Sequence, residues 1–305
     1  MKFTNEKNLP RPLVRAMSWG KGKNYCDLSV TQLLKPPRQR VLEKIFDDQI
    51  EVDVADNLWA FLGSAMHYVL ERLSYKQNSL AEEKLTVEIL GKRIGGTPDL
   101  YYQDDRDGKW VLVDLKTTSH WSFIFDPKGK EEWHKQTNIY AYMLEQHGFH
   151  VDRIEIWGIA RDWSATELKR DPERYPKSAI SIIDIPIRPM EKIKKFLEDR
   201  VKVHIQAEEN EKALPLCTDD ERWAKPGKLA VMIKGQVKAK KLFENTLADR
   251  KEAEQMATKI GGFVQERPAT YTKCQDWCSA SAFCTQWQET QKQMQRQPDL
   301  AEAAK

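Results

Sequence analysis

The chain has 305 residues with 49 Lys and Arg against 46 Asp and Glu, a formal charge of +3 that by itself marks no strongly acidic or basic partner. Hydrophobic residues make up 40% of it, including ten tryptophans, which suffices for one elaborated domain or two small ones, and no apolar run is long enough to span a membrane. Met1-Lys2-Phe3-Thr4-Asn5-Glu6 lacks the apolar core of a secretion signal, and five cysteines without a secretory context argue against a disulfide framework and for metal ligation, so a cytoplasmic protein is expected.

In chain order, residues 1–25 read as irregular, broken by Pro10, Pro12, Gly20 and Gly22, and basic, with Lys2, Lys7, Arg11, Arg15, Lys21 and Lys23 against Glu6. A short helix is expected from Ser29, interrupted at Pro36-Pro37 and resumed over Arg38 to Ile45. A longer helix is expected from about Asp53 to Ser74, with Val54, Leu58, Phe61, Leu62, Ala65, Met66, Val69 and Leu70 at helical spacing and His67 near that apolar face. A histidine there is ordinarily a core residue satisfied by a hydrogen bond.

Leu85 to Leu90 reads as the first core strand, followed by strands over Arg93 to Tyr102 and Lys109 to Thr117. Between the latter two, Asp104-Asp105-Arg106-Asp107-Gly108 is polar and ends in Asp-Gly, the signature of a tight antiparallel turn. Such a hairpin brings Asp99 and Asp114 together, and alternation along the strand puts Lys116 on the same side as Asp114 while Leu115 points away. Paired carboxylates suit a hard divalent cation with open positions for water and phosphate, and an adjacent ammonium can orient that water or offset developing charge. The plainer alternative is a surface hairpin carrying an Asp-Lys ion pair.

Beyond Lys116, the loop His120-Trp121-Ser122-Phe123-Ile124-Phe125 offers rings that could stack on a base, although packing is the expectation for them. A helix over Glu131 to Gln146 carries Gln136 and Tyr140 on one face, and Arg153 to Ala160 reads as a strand. Then follow a strand over Ala179 to Ile187, a helix over Met190 to Glu209, a loop over Leu214 to Asp220, short strands within Lys228 to Phe243 and a helix over Leu247 to Ile260. Trp223 to Phe243 holds Lys225, Lys228, Lys234, Lys238, Lys240 and Lys241 and no acid, which suits phosphate contacts or a solvated face equally. Cys274, Cys278 and Cys284 fall within eleven residues and suggest a soft-metal site, and the Gln-rich stretch from Gln286 to Lys305 reads as a frayed helix or a disordered tail.

Gly63-Ser64-Ala65-Met66-His67, Pro98-Asp99, Asp114-Leu115-Lys116 and Gln136-Thr137-Asn138-Ile139-Tyr140, in that order, resemble the RecB-type branch of the PD-(D/E)xK nuclease superfamily over roughly residues 29–160. The resemblance implies an α/β fold: a restriction-endonuclease-like core, a mixed sheet flanked by helices, with helical N-terminal and cysteine-bearing C-terminal elaborations. It divides the chain into a basic, helical segment (1–50), the nuclease core (51–165), a cysteine-bearing elaboration (166–286) and a flexible tail (287–305). It implies that His67, Asp99, Asp114 and the Leu115 carbonyl bind Mg²⁺ or Mn²⁺, that Lys116 orients the attacking water, and that Gln136 and Tyr140 support the catalytic site and the substrate backbone.

The cysteine triplet is similar to that of iron-sulfur RecB-type nucleases, including those of CRISPR adaptation, whose first gap is one residue shorter. It implies a [4Fe-4S] cluster, with Zn²⁺ as the alternative. In those relatives the fourth cysteine stands just before a Pro-Arg pair, and here Pro36 occupies that place before Pro37-Arg38. Cys217, in its Pro-containing loop, is the expected fourth ligand, with Cys26 as the alternative.

The expected function is thus a metal-dependent DNA nuclease, an exonuclease, in a bacterial or phage-infected cell. It would act on single strands or duplex ends beside recombination, replication or CRISPR-adaptation proteins, away from membranes. The rival readings are a noncatalytic DNA-binding or scaffold protein that keeps the nuclease fold, and a zinc-stabilised binding module.

Overall fold

The computed structural model describes residues 2–18, 25–73 and 79–296. They form two compact units, one made of Met1–Pro37 and Glu51–Lys212, the other of Arg38–Ile50 and Ala213–Lys305.

The first unit is built on a five-stranded mixed sheet. Its elements, in chain order, are helices α1 (Val30–Leu34) and α2 (Leu58–Leu73), strands β1 (Ser79–Ala81), β2 (Leu85–Ile89), β3 (Lys92–Gly96), β4 (Leu100–Gln103) and β5 (Trp110–Thr118), helices α3 (Trp121–Phe125) and α4 (Glu131–Gln146), strands β6 (Arg153–Ala160) and β7 (Ile180–Ile185), and helix α5 (Met190–Glu209). The sheet order is β7-β6-β5-β4-β1, antiparallel except for the parallel β5-β6 pair, which α4 connects as a crossover helix. β2 and β3 form a hairpin in a second sheet, where β3 also pairs in parallel with Leu28–Ser29.

β5 is the central strand, and its Val111 to Leu115 run is buried throughout, as expected of a strand covered on both faces. Ile139, Met143 and Leu144 of α4 join Leu112, Ile154 and Ile156 in the core. α1 is opened by a capping box in which Ser29 and Gln32 satisfy each other's backbone N–H groups. Its other end is closed by Arg200 of α5, which donates to the Leu33 and Lys35 carbonyls at 3.0 and 2.6 Å.

Three expectations change. The stretch over Arg93 to Tyr102 is not one strand: it breaks at Thr97-Pro98-Asp99 into β3 and β4, which belong to different sheets, because Pro98 has no N–H to give a ladder. The N-terminal stretch is not irregular throughout. Lys2–Thr4 pairs in parallel with Glu51–Asp53, and Arg11–Met17 is a helix whose early Pro12 sits where a missing N–H costs nothing; residues 19–24 lie outside the described residues. Finally, the apolar periodicity of α2 does not buy burial: Val54, in the turn before it, is buried, but no described side chain of α2 itself is.

The second unit contains most of the Pro37–Ile45 helix, a three-stranded antiparallel sheet ordered β9 (Lys241–Glu244), β8 (Lys228–Met232), β10 (Phe263–Arg267), helix α6 (Leu247–Lys259) and helix α7 (Thr285–Arg296). Leu229, Val231 and Phe243 pack against Ala253 and Ala257 of α6. In the basic stretch, Lys228 pairs with Glu244 and Lys241 with Glu252, while Lys234, Lys238 and Lys240 are exposed on the β8-β9 connection. Leu42, Ala280, Cys284 and Trp287 form a separate core, with the Phe46 and Phe283 rings stacked 4.3 Å apart beside it. Within the expected tail, α7 is regular and buries Trp287; residues 297–305 lie outside the described residues. Among the described residues no helix is long and apolar enough to cross a membrane.

Candidate active site

The β4-β5 hairpin pairs Leu100 with Val113, so Asp99, one residue before β4, falls beside Asp114 and Leu115. The Leu115 backbone N–H donates to Asp99 Oδ2 at 2.6 Å, which locks that carboxylate to the centre of β5. The other Asp99 oxygen lies 3.2 Å from His67 Nδ1, and the same nitrogen lies 2.9 Å from Glu82 Oε1. Among the described residues, His67, Glu82 and Asp99 are the group whose ligand atoms all lie within 4.8 Å of one another.

Glu82 is the residue that sequence reasoning missed. It stands after β1 in no motif, but its φ of 52° is a left-handed conformation that a glutamate adopts only when the surroundings impose it. A backbone bond from the Glu82 N–H to the Asp99 carbonyl, 3.3 Å, fixes it beside its partner. Only the tertiary contact reveals this residue; the Glu82-Glu83 pair carries no sequence signal of its own.

Asp114 is fully buried in the middle of β5. Lys116 Nζ stands 2.8 Å from its Oδ2 as an ion pair, and Oδ1 has no hydrogen-bond partner among the described residues. Burial pushes the Asp114 carboxyl above its ordinary range, against the pull of the Lys116 ammonium. A buried carboxylate with one oxygen left unpartnered is costly unless something else satisfies it. A hard divalent cation would, and the neighbouring carboxylates and imidazole could share in holding one. His67 is held the opposite way: hydrogen bonds to Asp99 and then Glu82 outweigh its burial and push it up to about 10.

Lys116 is steered from the far side. Its Nζ donates to Gln136 Oε1 at 2.9 Å, and Gln136 Nε2 donates to the Tyr140 hydroxyl at 3.0 Å. Gln136 and Tyr140 are one turn apart on α4, which crosses β5, so helical spacing turns them into a bracket for the lysine. Tyr140 is buried, and desolvation, with Asp114 nearby, raises its phenol far enough that it stays protonated. Its ring reaches this position because β3 has no side chain there: a Cβ on Gly96 would come 2.9 Å from the Tyr140 ring and 2.7 Å from Met143 Sδ.

The model of the PD-(D/E)XK nuclease superfamily matches residues 30–285, most of the chain. The chain belongs to the PD-(D/E)XK nuclease superfamily. Membership suggests a nuclease: the superfamily's nucleases generally depend on divalent metals, and it implies DNA as the substrate. No curated protein matches it. Among 16 matching chains of solved structures, one titled "Crystal structure of SSO0001" is 18% identical, with a TM-score of 0.41 over 63% of this chain and 84% of that one.

In the second unit of this PD-(D/E)XK chain, Cys217, Cys274, Cys278 and Cys284 line one pocket together with Arg38 and Arg222. Arg38 Nε donates to Cys284 Sγ at 3.4 Å, while its other nitrogens donate to the Leu214 carbonyl at 2.9 Å and Thr285 Oγ1 at 2.6 Å. Burial pushes the Cys217 thiol up to about 12. The remaining cysteine, Cys26, belongs to the first unit, where a Cβ on Gly95 would come 2.5 Å from its sulfur. Four thiols around one pocket fit a soft-metal group.

Proposed function

We propose that this nuclease is a divalent-metal-dependent DNA exonuclease of the RecB-type branch, using His67, Glu82, Asp99, Asp114 and the Leu115 carbonyl as cation ligands. The observation that carries the reading is the buried Asp114 carboxylate, paired through Oδ2 with Lys116 at 2.8 Å and unpartnered at Oδ1 among the described residues, beside the His67-Glu82-Asp99 group. A bound Mg²⁺ or Mn²⁺ would supply Lewis acidity toward a phosphate oxygen and make a coordinated water more acidic. The chain's own part is positional. Asp99 is tied to β5 through the Leu115 N–H, so its free oxygen faces His67 rather than rotating away. Lys116, gripped by Gln136, holds an ammonium where it can orient a water and offset charge on the attacked phosphate. Tyr140, protonated, keeps the Gln136 amide in the orientation that presents its oxygen to Lys116.

The cysteine pocket supports a [4Fe-4S] cluster held by Cys217, Cys274, Cys278 and Cys284. Zn²⁺ held by the same four thiols is the alternative.

The test is degradation of end-labelled single- and double-stranded DNA with Mn²⁺ or Mg²⁺, beside circular DNA as a substrate without ends. The wild type is expected to shorten linear DNA and spare circles, and Asp114→Ala and Lys116→Ala to lose the activity. Wild-type-like degradation by both variants sinks the mechanism, and cutting of circles replaces the exonuclease with an endonuclease. A recombination, replication or CRISPR-adaptation setting follows from the resemblance alone.

A further inference from the structure

Helix α2, which carries the candidate ligand His67, and helix α3, which follows the strand of Lys116, both carry rings the fold leaves in the open. On α2, Trp59, Gly63 and His67 are spaced four apart and form one ridge. With a rise of 1.5 Å per residue, Trp59 lies about 12 Å along the helix from the imidazole. Gly63 sits between them. A helix-interior glycine is unfavourable relative to alanine, and here no packing neighbour among the described residues accounts for it, because a Cβ at Gly63 would meet nothing among them within 4 Å. The ridge is therefore open between the Trp59 ring and the candidate metal ligand.

The Arg161 guanidinium lies over the Trp59 ring, 4.4 Å from its centroid, and the Arg161 main-chain N–H donates to the Thr118 carbonyl at 2.9 Å, at the end of the strand that carries Lys116. Just beyond that strand end, Trp121 and Phe125 of α3 stack at 5.4 Å with an angle of 14° between their planes. Trp59, Trp121 and Phe125 are 47%, 52% and 72% exposed, so the packing expected of the aromatic loop does not absorb them. The loop is nonetheless fixed: Asp162 accepts from Ser119 Oγ at 2.6 Å and from the His120 N–H at 2.7 Å.

Flat rings with a guanidinium among them match a ligand of alternating planar and anionic groups. In a duplex the base faces are already stacked on one another, whereas in a single strand they are free. We infer that this face is a track for single-stranded DNA: bases stack on Trp121, Phe125 and Trp59, Arg161 takes a phosphate, and the backbone passes over Gly63 to the metal centre. The inference rests on the nuclease reading for the direction of the track and deepens it by naming the strand form of the substrate.

Binding in the presence of a chelator separates the track from the chemistry. Fluorescence anisotropy of a labelled oligo-dT with the full chain, no divalent metal present, is expected to show binding that Trp121→Ala combined with Phe125→Ala weakens about 10-fold or more, and Arg161→Ala weakens with a smaller salt dependence. An abasic strand of equal length should compete poorly, and a blunt duplex should bind weakly and indifferently to the ring substitutions. Gly63→Leu should melt no lower than the wild type and keep its rise on adding Mn²⁺, yet lose cleavage of single strands. Unchanged oligo-dT affinity in the ring variants, unchanged single-strand cleavage by Gly63→Leu, absence of single-strand binding by the wild type, or equal dependence of duplex binding on the rings would each overturn the track. A wild type that binds in this ring-dependent way but never hydrolyses DNA would remove the nuclease reading and leave the track standing.

Discussion

Gln136 Oε1 accepts a hydrogen bond from Lys116 Nζ at 2.9 Å, joining a helix to the central strand across the same side chain that pairs with Asp114. An unheld lysine can swing toward solvent, and the position of a water-orienting group matters more in the transition state than in the ground state. Gln136→Ala is expected to lower kcat on the order of 10- to 100-fold, as loss of an orienting partner does around metal sites, with KM nearly unchanged. Steady-state kinetics on a linear oligonucleotide check this split; a change confined to KM would assign Gln136 to substrate binding instead.

Metal-free Asp114 is a liability to the fold. Because burial raises its pKa, the folded state binds its proton more tightly than the unfolded chain, so this group favours folding at low pH and works against it as the pH rises through the raised value. Asp114→Asn should therefore melt higher than the metal-free wild type at pH 8, by ~2–4 °C for each kcal/mol relieved, and the difference should shrink toward pH 4. The same variant should show no rise in melting temperature on adding Mn²⁺. Thermal melts across pH, with and without metal, measure both.

His67 carries its proton in the metal-free protein, since two carboxylates push it up to about 10 from the ordinary 6.5. The stability this contributes is fully present below pH 6.5 and is lost as the pH rises through about 10. A cation needs the neutral imidazole, so metal binding at pH 7.5 should release about one proton. Calorimetric titration of Mn²⁺ in buffers of different ionisation heat reads that number, and His67→Ala should bring it close to zero.

Gly96 is a steric requirement of the site. A Cβ there would press on Met143 Sδ at 2.7 Å and the Tyr140 ring at 2.9 Å. Gly96→Val is expected to destabilise the protein by about 1–3 kcal/mol, seen as a lower urea midpoint. The displaced Tyr140 should also slow catalysis beyond what the stability loss explains.

The cysteine pocket yields a contrast between two substitutions. Cys217→Ser should abolish the broad visible absorption of anaerobically purified protein, and Cys26→Ser should retain it. The reverse result would hand the fourth ligand to Cys26, and a colourless wild type that contains zinc would replace the cluster with a single ion.

The sequence determined the strand-turn-strand that gathers Asp99 and Asp114, because Asp-Gly turn chemistry and alternation along a strand are local properties. It also determined the bounds of α4 and α5, whose apolar periods run uninterrupted, and the one-turn spacing of Gln136 and Tyr140. What it could not determine depends on which surfaces meet. Only tertiary structure brought Glu82 to His67, since a glutamate outside any motif joins the candidate site by position alone. Only tertiary structure split the strand at Pro98 between two sheets and left the apolar face of α2 no more than half-buried, because periodicity records which side of a helix is apolar but not how fully anything packs against it. The electrostatics of Asp114 belong with these: its type is written in the sequence, but the burial that lifts its pKa and leaves Oδ1 without a described partner comes from the strands and helix that close over it.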